Sequence, residues 1–187
     1  TQRTSSAASD VYKRQEFFVD DPRETGKGSK DQAFFQKILE DKFLNDLAWE
    51  INLKSAQICR LWADRVANET GEKKYVAGSI GPLTVSLSQS PDADDAGKRV
   101  VNFDQVVAAY THQIKALIEG GSDLLLVETI FDALNAKAAS VAIKKVNEHL
   151  GFNIPLIFSA AVGMGGETMI SAMKVESFIN SFQHMNP

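Results

Sequence analysis

Three apolar runs in this sequence do not alternate: "YVAGSIG" at 75–81, "DLLLVE" at 123–128 and "IPLIFSAAV" at 154–162. A strand with one wet face alternates apolar and polar residues. A run that is apolar throughout suits a parallel strand covered by helices on both faces. The segments between and after the runs carry helical periodicity. Phe103, Val106, Val107, Tyr110, Ile114, Leu117 and Ile118 form one stripe, with Asn102 and Gln105 spaced as a capping box and Gly120-Gly121 as the stop. Asp132 caps the next expected helix, Ala133 to His149, and Gly151 ends it. The last, "KVESFINSFQHM", places Val175, Phe178, Ile179 and Phe182 on one face. The order is therefore strand, helix, repeated three times. Two architectures fit it, a doubly wound open sheet and a (β/α)8 barrel. A full barrel takes about 250 residues, so three strands amount to part of one.

Upstream, Phe34, Phe35, Ile38 and Leu39 begin a helical pattern, with Ser29 or Asp31 as its cap. Leu44, Leu47, Ala48, Ile51, Ser55, Ile58, Cys59, Trp62 and Val66 continue on one apolar face to Gly71, so Trp49 and Trp62 read as core. Residues 1–30 are expected to be disordered or non-native. "TQRTSSAASDVYKRQ" is polar and without period, and Phe17–Val19 adds little core. The 187 residues carry a net charge of -4. No basic stretch points to nucleic acid, and no apolar run reaches the length of a membrane span. The chain opens without an apolar signal-peptide core, so a cytoplasmic location is expected. Cys59 is the single cysteine. It reads as a small core residue, and it allows neither an internal disulfide nor a Cys-rich zinc site.

Glu128 is the leading candidate for chemistry. In both architectures the carboxyl ends of parallel strands face the ligand crevice. A carboxylate there can hold an ammonium group or act as a base; the bland reading is an ion pair with a neighbouring strand. Ser79 and Ser159 lie near strand ends. They have no paired histidine to activate them, but their hydroxyls can bind a polar ligand. Gly81-Pro82 turns the first strand into a long loop. Helix capping suffices to explain Asp132. "VGMGGET" lacks the spacing of phosphate-binding loops, "DADD" lacks that of a calcium loop, and His112, His149 and His184 are not spaced as metal ligands.

From about Leu44 onward the sequence resembles the homocysteine-binding module of cobalamin-dependent methionine synthase. The matching stretches are "LAWEINLKSAQICR", "YVAGSIGP", "SQSPDADD", "NFDQVVAAYTHQIKALIEGGSDLLLVETIFDALNAKAA" and "VESFINSFQH". The resemblance implies a (β/α)8 barrel whose strands three to five are the runs at Val76, Leu125 and Leu156. It implies homocysteine as substrate and Glu128 as the group that recognises its amino end, and it puts Gly81-Pro82 in the loop after strand three; Ser79, Gly81 and Ser159, at or next to strand ends, are the further candidate substrate contacts. In the intact family enzyme, a zinc ion held by three cysteines binds the substrate sulfur, and methylcobalamin on another module, recharged from methyltetrahydrofolate, supplies the methyl group. Cys59 matches none of the zinc cysteines. The family's Asp-Gly/Gly-Thr substrate loop has no counterpart here, and "SAAVGMGGET" replaces its Thr-rich loop.

The resulting expectation is a partial (β/α)8 barrel over 31–187, with about three parallel strands and flanking helices and its strongest match over 44–187. It would work in methyl transfer to homocysteine beside folate- and cobalamin-binding modules of the same intact chain. By itself it would hold neither zinc nor cobalamin, contain no catalytic residue, be inactive, and be marginally stable with unpaired sheet edges. The alternatives are a betaine- or sulfonium-dependent homocysteine methyltransferase and, from another class, a non-catalytic binding protein or an assembly artefact.

Overall fold

A computed structural model describes residues 31–187; the expectations for residues 1–30, including Phe17–Val19 and the Ser29 cap, lie outside it. The elements run α1 (Gln32–Glu40), α2 (Lys42–Thr70), β1 (Ala77–Ile80), α3 (Phe103–Glu119), β2 (Leu124–Ile130), α4 (Ala133–Leu150), β3 (Leu156–Ala160) and α5 (Val175–Phe182), followed by a 3-10 turn at Gln183–Met185.

The three apolar runs form one parallel sheet in the order β1-β2-β3. Ser79 pairs with Leu126 and Ile80 with Val127; on the other side Leu126 pairs with Ile157 and Val127 with Phe158. Each connection is a helical crossover, and the two crossover helices, α3 and α4, pack on each other. Strands that advance in sequence order under helices on one side follow the barrel progression. A doubly wound sheet reverses its order and places helices on both sides.

Ile80, Leu125, Ile114, Leu117, Ala139 and Ile143 are fully or almost fully buried between sheet and helices. Each large aliphatic side chain there contributes about 1.5–3 kcal/mol over exposure. The opposite sheet face is open chiefly along β3; on it Ser79 of β1 is buried and Leu124, Leu126 and Glu128 of β2 are half-buried. Along β3 burial alternates: Leu156 is buried, Ile157 is 50% exposed and Ser159 is exposed. Cover on both faces, the expectation from the unbroken apolar run, therefore fails for β3. Its inward residues look into the space a closed barrel would fill.

Local signals explain the helix ends. Asn102 accepts from the Gln105 amide at 2.9 Å while the Gln105 side chain accepts from the Asn102 amide at 3.0 Å, completing the capping box. Gly151 ends α4 with φ +75, a conformation open to glycine. Asp41 divides the amino-terminal helices. Its amide closes α1 onto the Ile38 carbonyl, and its carboxylate caps α2 by accepting from the Leu44 amide.

The buried face of α2 is narrower than the periodicity implies and is rotated from it. Ala48, Asn52 and Ala56 are buried, Cys59 is partly buried, and Ile58, Val66 and Trp62 (55%) are exposed. Trp49 is half-buried and packs edge-on to His112. The cause is the close approach of α2 to the end of α3, which admits only small side chains. In α5 likewise only Phe178 and Phe182 of the expected stripe are buried.

Gly120 marks the point of closest approach. A Cβ there would lie 2.6 Å from both the Leu53 carbonyl oxygen and the Ala56 Cβ. Neither belongs to a flexible side-chain end, so Gly120→Ala must push α2 away. The expected cost is about 1–3 kcal/mol, the range for overpacking. Thermal unfolding should show a melting temperature lower by roughly 2–4 °C per kcal/mol; an unchanged midpoint would contradict this packing account.

Candidate functional site

The candidate site is built at the carboxyl ends of β1 and β2. Leu125 and Val127 turn to the helices, which leaves Leu124, Leu126 and Glu128 on the open face. Ser79 shares that face through its pairing with Leu126, and it is 2% exposed. Its Oγ donates a hydrogen bond to Oε1 of Glu128. The ion pair weighed for Glu128 on sequence grounds is not found among the described residues, whose salt bridges involve other carboxylates.

Backbone geometry sets the aim of this carboxylate. Thr129 has φ +56, a left-handed conformation that is a true outlier for a β-branched residue and costs about 1–3 kcal/mol. It lies where the β2–β3 register shifts, between Val127 and Ile130. Such irregularities re-aim side chains at sheet rims. The surrounding backbone holds the kink. Ala161 donates its amide to the Ile130 carbonyl at 2.8 Å, and Ile170 donates to the Phe131 carbonyl at 2.9 Å.

Gly81 is buried directly after β1 and, with Glu128, lines a small cavity of about 10 Å³. Its carbonyl accepts from the Tyr110 hydroxyl at 3.4 Å. Ser159 is on the open face of β3, one residue beyond the Val127–Phe158 pair, and its side chain is exposed. The structure thus brings Ser79, Gly81 and Glu128 together and places Ser159 on the same face of the neighbouring strand.

Sequence reasoning missed the groups around Asp132. This carboxylate is 2% exposed. It caps α4 by accepting from the Leu134 amide at 2.9 Å, as anticipated. It also accepts hydrogen bonds from the hydroxyls of Ser86 and Ser88 and from the Ser88 amide. Asn135, one turn into α4, donates to the Val85 carbonyl at 2.7 Å and accepts from the Leu87 amide at 3.0 Å. Capping alone therefore does not account for Asp132.

Burial would raise the Asp132 carboxyl pKa, but the hydrogen bonds from Ser86, Ser88 and Leu134 outweigh it, and the pKa is held below the usual aspartate value. A depressed folded-state pKa stabilises the protein above the unfolded value of about 3.9. That contribution is lost as pH falls through the folded value. Asp132→Asn keeps a good cap and removes the charge. It should cost about 1–3 kcal/mol at pH 7, with the gap to wild type closing below about pH 4. Thermal denaturation of both proteins from pH 7 to pH 3 checks this; a gap independent of pH would refute it.

The residues here do not fit a three-cysteine zinc site. Cys59, the sequence's one cysteine, is on α2, and no group of three His, Cys, Asp or Glu among the described residues is arranged to hold a metal ion. Among the described residues, no helix is long and apolar enough to cross a membrane.

Comparison with known proteins bears on this geometry. Two solved structures of homocysteine methyltransferase MmuM from Escherichia coli share the fold. The oxidized form is 16% identical, with a TM-score of 0.57, over 100% of this chain and 64% of that one. The apo form is 15% identical, with a TM-score of 0.56, over 75% of this chain and 47% of that one. The chain thus spans between about half and two thirds of their length, and its three parallel strands with flanking helices form part of a barrel-like fold. The sequence model of the homocysteine S-methyltransferase family matches residues 32–187, and the chain belongs to that family.

Proposed function

We propose that this chain supplies the amino-group recognition side of a homocysteine site, in an enzyme that moves a methyl group onto the homocysteine sulfur. The carrying observation is Glu128 at the carboxyl end of the central strand, on the open face and oriented by Ser79. In this reading one carboxylate oxygen takes the Ser79 hydroxyl, and remaining lone pairs accept from the substrate ammonium. Gly81 borders the same small cavity as Glu128, and Ser159 offers a hydroxyl from the next strand. In the transfer, the thiol proton passes to solvent and the sulfur forms a bond to the methyl carbon as the bond between that carbon and the donor breaks, its electron pair staying with the donor.

For the donor, the reading is cobalamin-dependent methionine synthase, with methylcobalamin and folate-binding modules in the same intact protein and zinc held by residues other than those of this chain. Its support is the long resemblance from Asn102 to Ala139, including "ETIFDALNAK". Betaine or a sulfonium donor is the second reading. Methyl transfer assayed on the intact protein with methylcobalamin plus methyltetrahydrofolate, with betaine, and with S-methylmethionine separates them.

The substrate assignment is tested by calorimetry with L-homocysteine. A charge-assisted hydrogen bond contributes about 1.5–3 kcal/mol. Glu128→Gln should therefore weaken binding by roughly ten- to a hundredfold, while Ser79→Ala weakens it less. Equal affinity of wild type and Glu128→Gln would remove the assignment.

A further inference from the structure

We infer that Asp132 is a positioning residue whose contacts with Ser86 and Ser88 hold the loop after β1 over Glu128; this rests on the substrate reading above. The loop spans residues 81–102, between the end of β1 and the cap of α3. A segment that long with little regular structure needs anchors to keep one shape. Here the anchors converge on one place. Asp132 accepts from two serine hydroxyls and one loop amide, all between Ser86 and Ser88. Asn135 pairs with the loop backbone on both sides of Ser86, at Val85 and Leu87. Arg99, farther along the loop, donates to the Leu87 carbonyl at 2.7 Å and so draws the return segment onto the same point.

The link from this clamp to Glu128 is short. Gly81, Pro82, Tyr110, Glu128, Asp132 and Asn135 all border the cavity of about 10 Å³. A space of that size is at the lower limit for a single water. The loop therefore packs against the wall that carries Glu128, and lifting it would admit solvent beside the carboxylate. Among the described residues, the hydrogen bonds of the Asp132 carboxylate go to Ser86, Ser88 and the first amides of α4, and none goes to Glu128. The effect of Asp132 passes through the loop.

The double variant Ser86→Ala/Ser88→Ala separates the clamp from the helix cap, since the bond from the Leu134 amide to Asp132 remains. Ser86→Thr/Ser88→Thr retains the hydroxyls as the conservative control. Three readouts apply to the full chain: backbone amide exchange, the carbon-13 resonance of the Glu128 carboxyl at fixed pH, and L-homocysteine affinity. The alanine pair should raise exchange at Leu87 and Ser88 by about tenfold or more, weaken homocysteine binding by a similar factor, and shift the Glu128 carboxyl resonance. Exchange within α4 should stay as in wild type, and the threonine pair should restore all three readouts. Loop exchange that rises while the Glu128 resonance and affinity stay fixed overturns the positioning role, as does no change in loop exchange. A wild-type chain that binds no homocysteine, with a Glu128 resonance that still responds to the alanine pair, discards the substrate assignment and retains the positioning role.

Discussion

The carboxylate of Asp123 fixes the relation between the first two strands, and the site depends on that relation. Its Oδ2 accepts from the Val76 amide at 2.7 Å, and the Asp123 amide returns a bond to the Val76 carbonyl at 2.8 Å. Arg60 of α2 pairs with the same oxygen at 2.7 Å and also donates to the Lys74 carbonyl. This lock lies where β1 and β2 begin, so Ser79 comes beside Leu126 and its hydroxyl reaches Glu128. A slip of one residue would turn Ser79 to the helices and a neighbour to the open face. Gly121, with φ +99, sits closely beneath the Arg60 stem, which explains the glycine pair at the end of α3.

At the other end of the strands the structure carries strain and the bonds that hold it. Thr129 occupies a conformation that thermodynamics disfavours, and the loop after β3 fastens the residues that follow it. Asp132 and Asn135 fasten the loop after β1. Two connecting segments are thus drawn to the first turn of α4, next to the carboxylate at the end of the central strand. Side chains held by packed second-layer bonds keep their geometry without reorganising when a ligand arrives. Membership of the homocysteine S-methyltransferase family gives that geometry a chemical context.

Much of this was legible in the sequence because its causes are local. Unbroken apolar runs announced parallel strands, Asn102 and Gln105 announced the start of α3, and Gly120 and Gly151 announced helix ends. Glu128 stood out because a charge ends an apolar run. What escaped depends on partners far apart in sequence. The serines that clamp Asp132 precede it by 46 and 44 residues, so only its short-range role as a cap could be read. The face of α2 was misjudged for a related reason. Hydrophobic period locates an apolar stripe, but the width of the groove it meets is set by Gly120 on another helix, and small residues won over Ile58 and Trp62. The exposed side of β3 could not be read from an apolar run at all, since cover depends on what packs there.

The most direct test of the account compares L-homocysteine with 4-mercaptobutanoic acid, which lacks the amino group, on wild type and Glu128→Gln by calorimetry. If Glu128 holds the amino group, wild type should favour homocysteine by about tenfold or more. Glu128→Gln should abolish that preference by weakening homocysteine alone. Equal loss of affinity for both ligands, or a preference that survives the substitution, would contradict it.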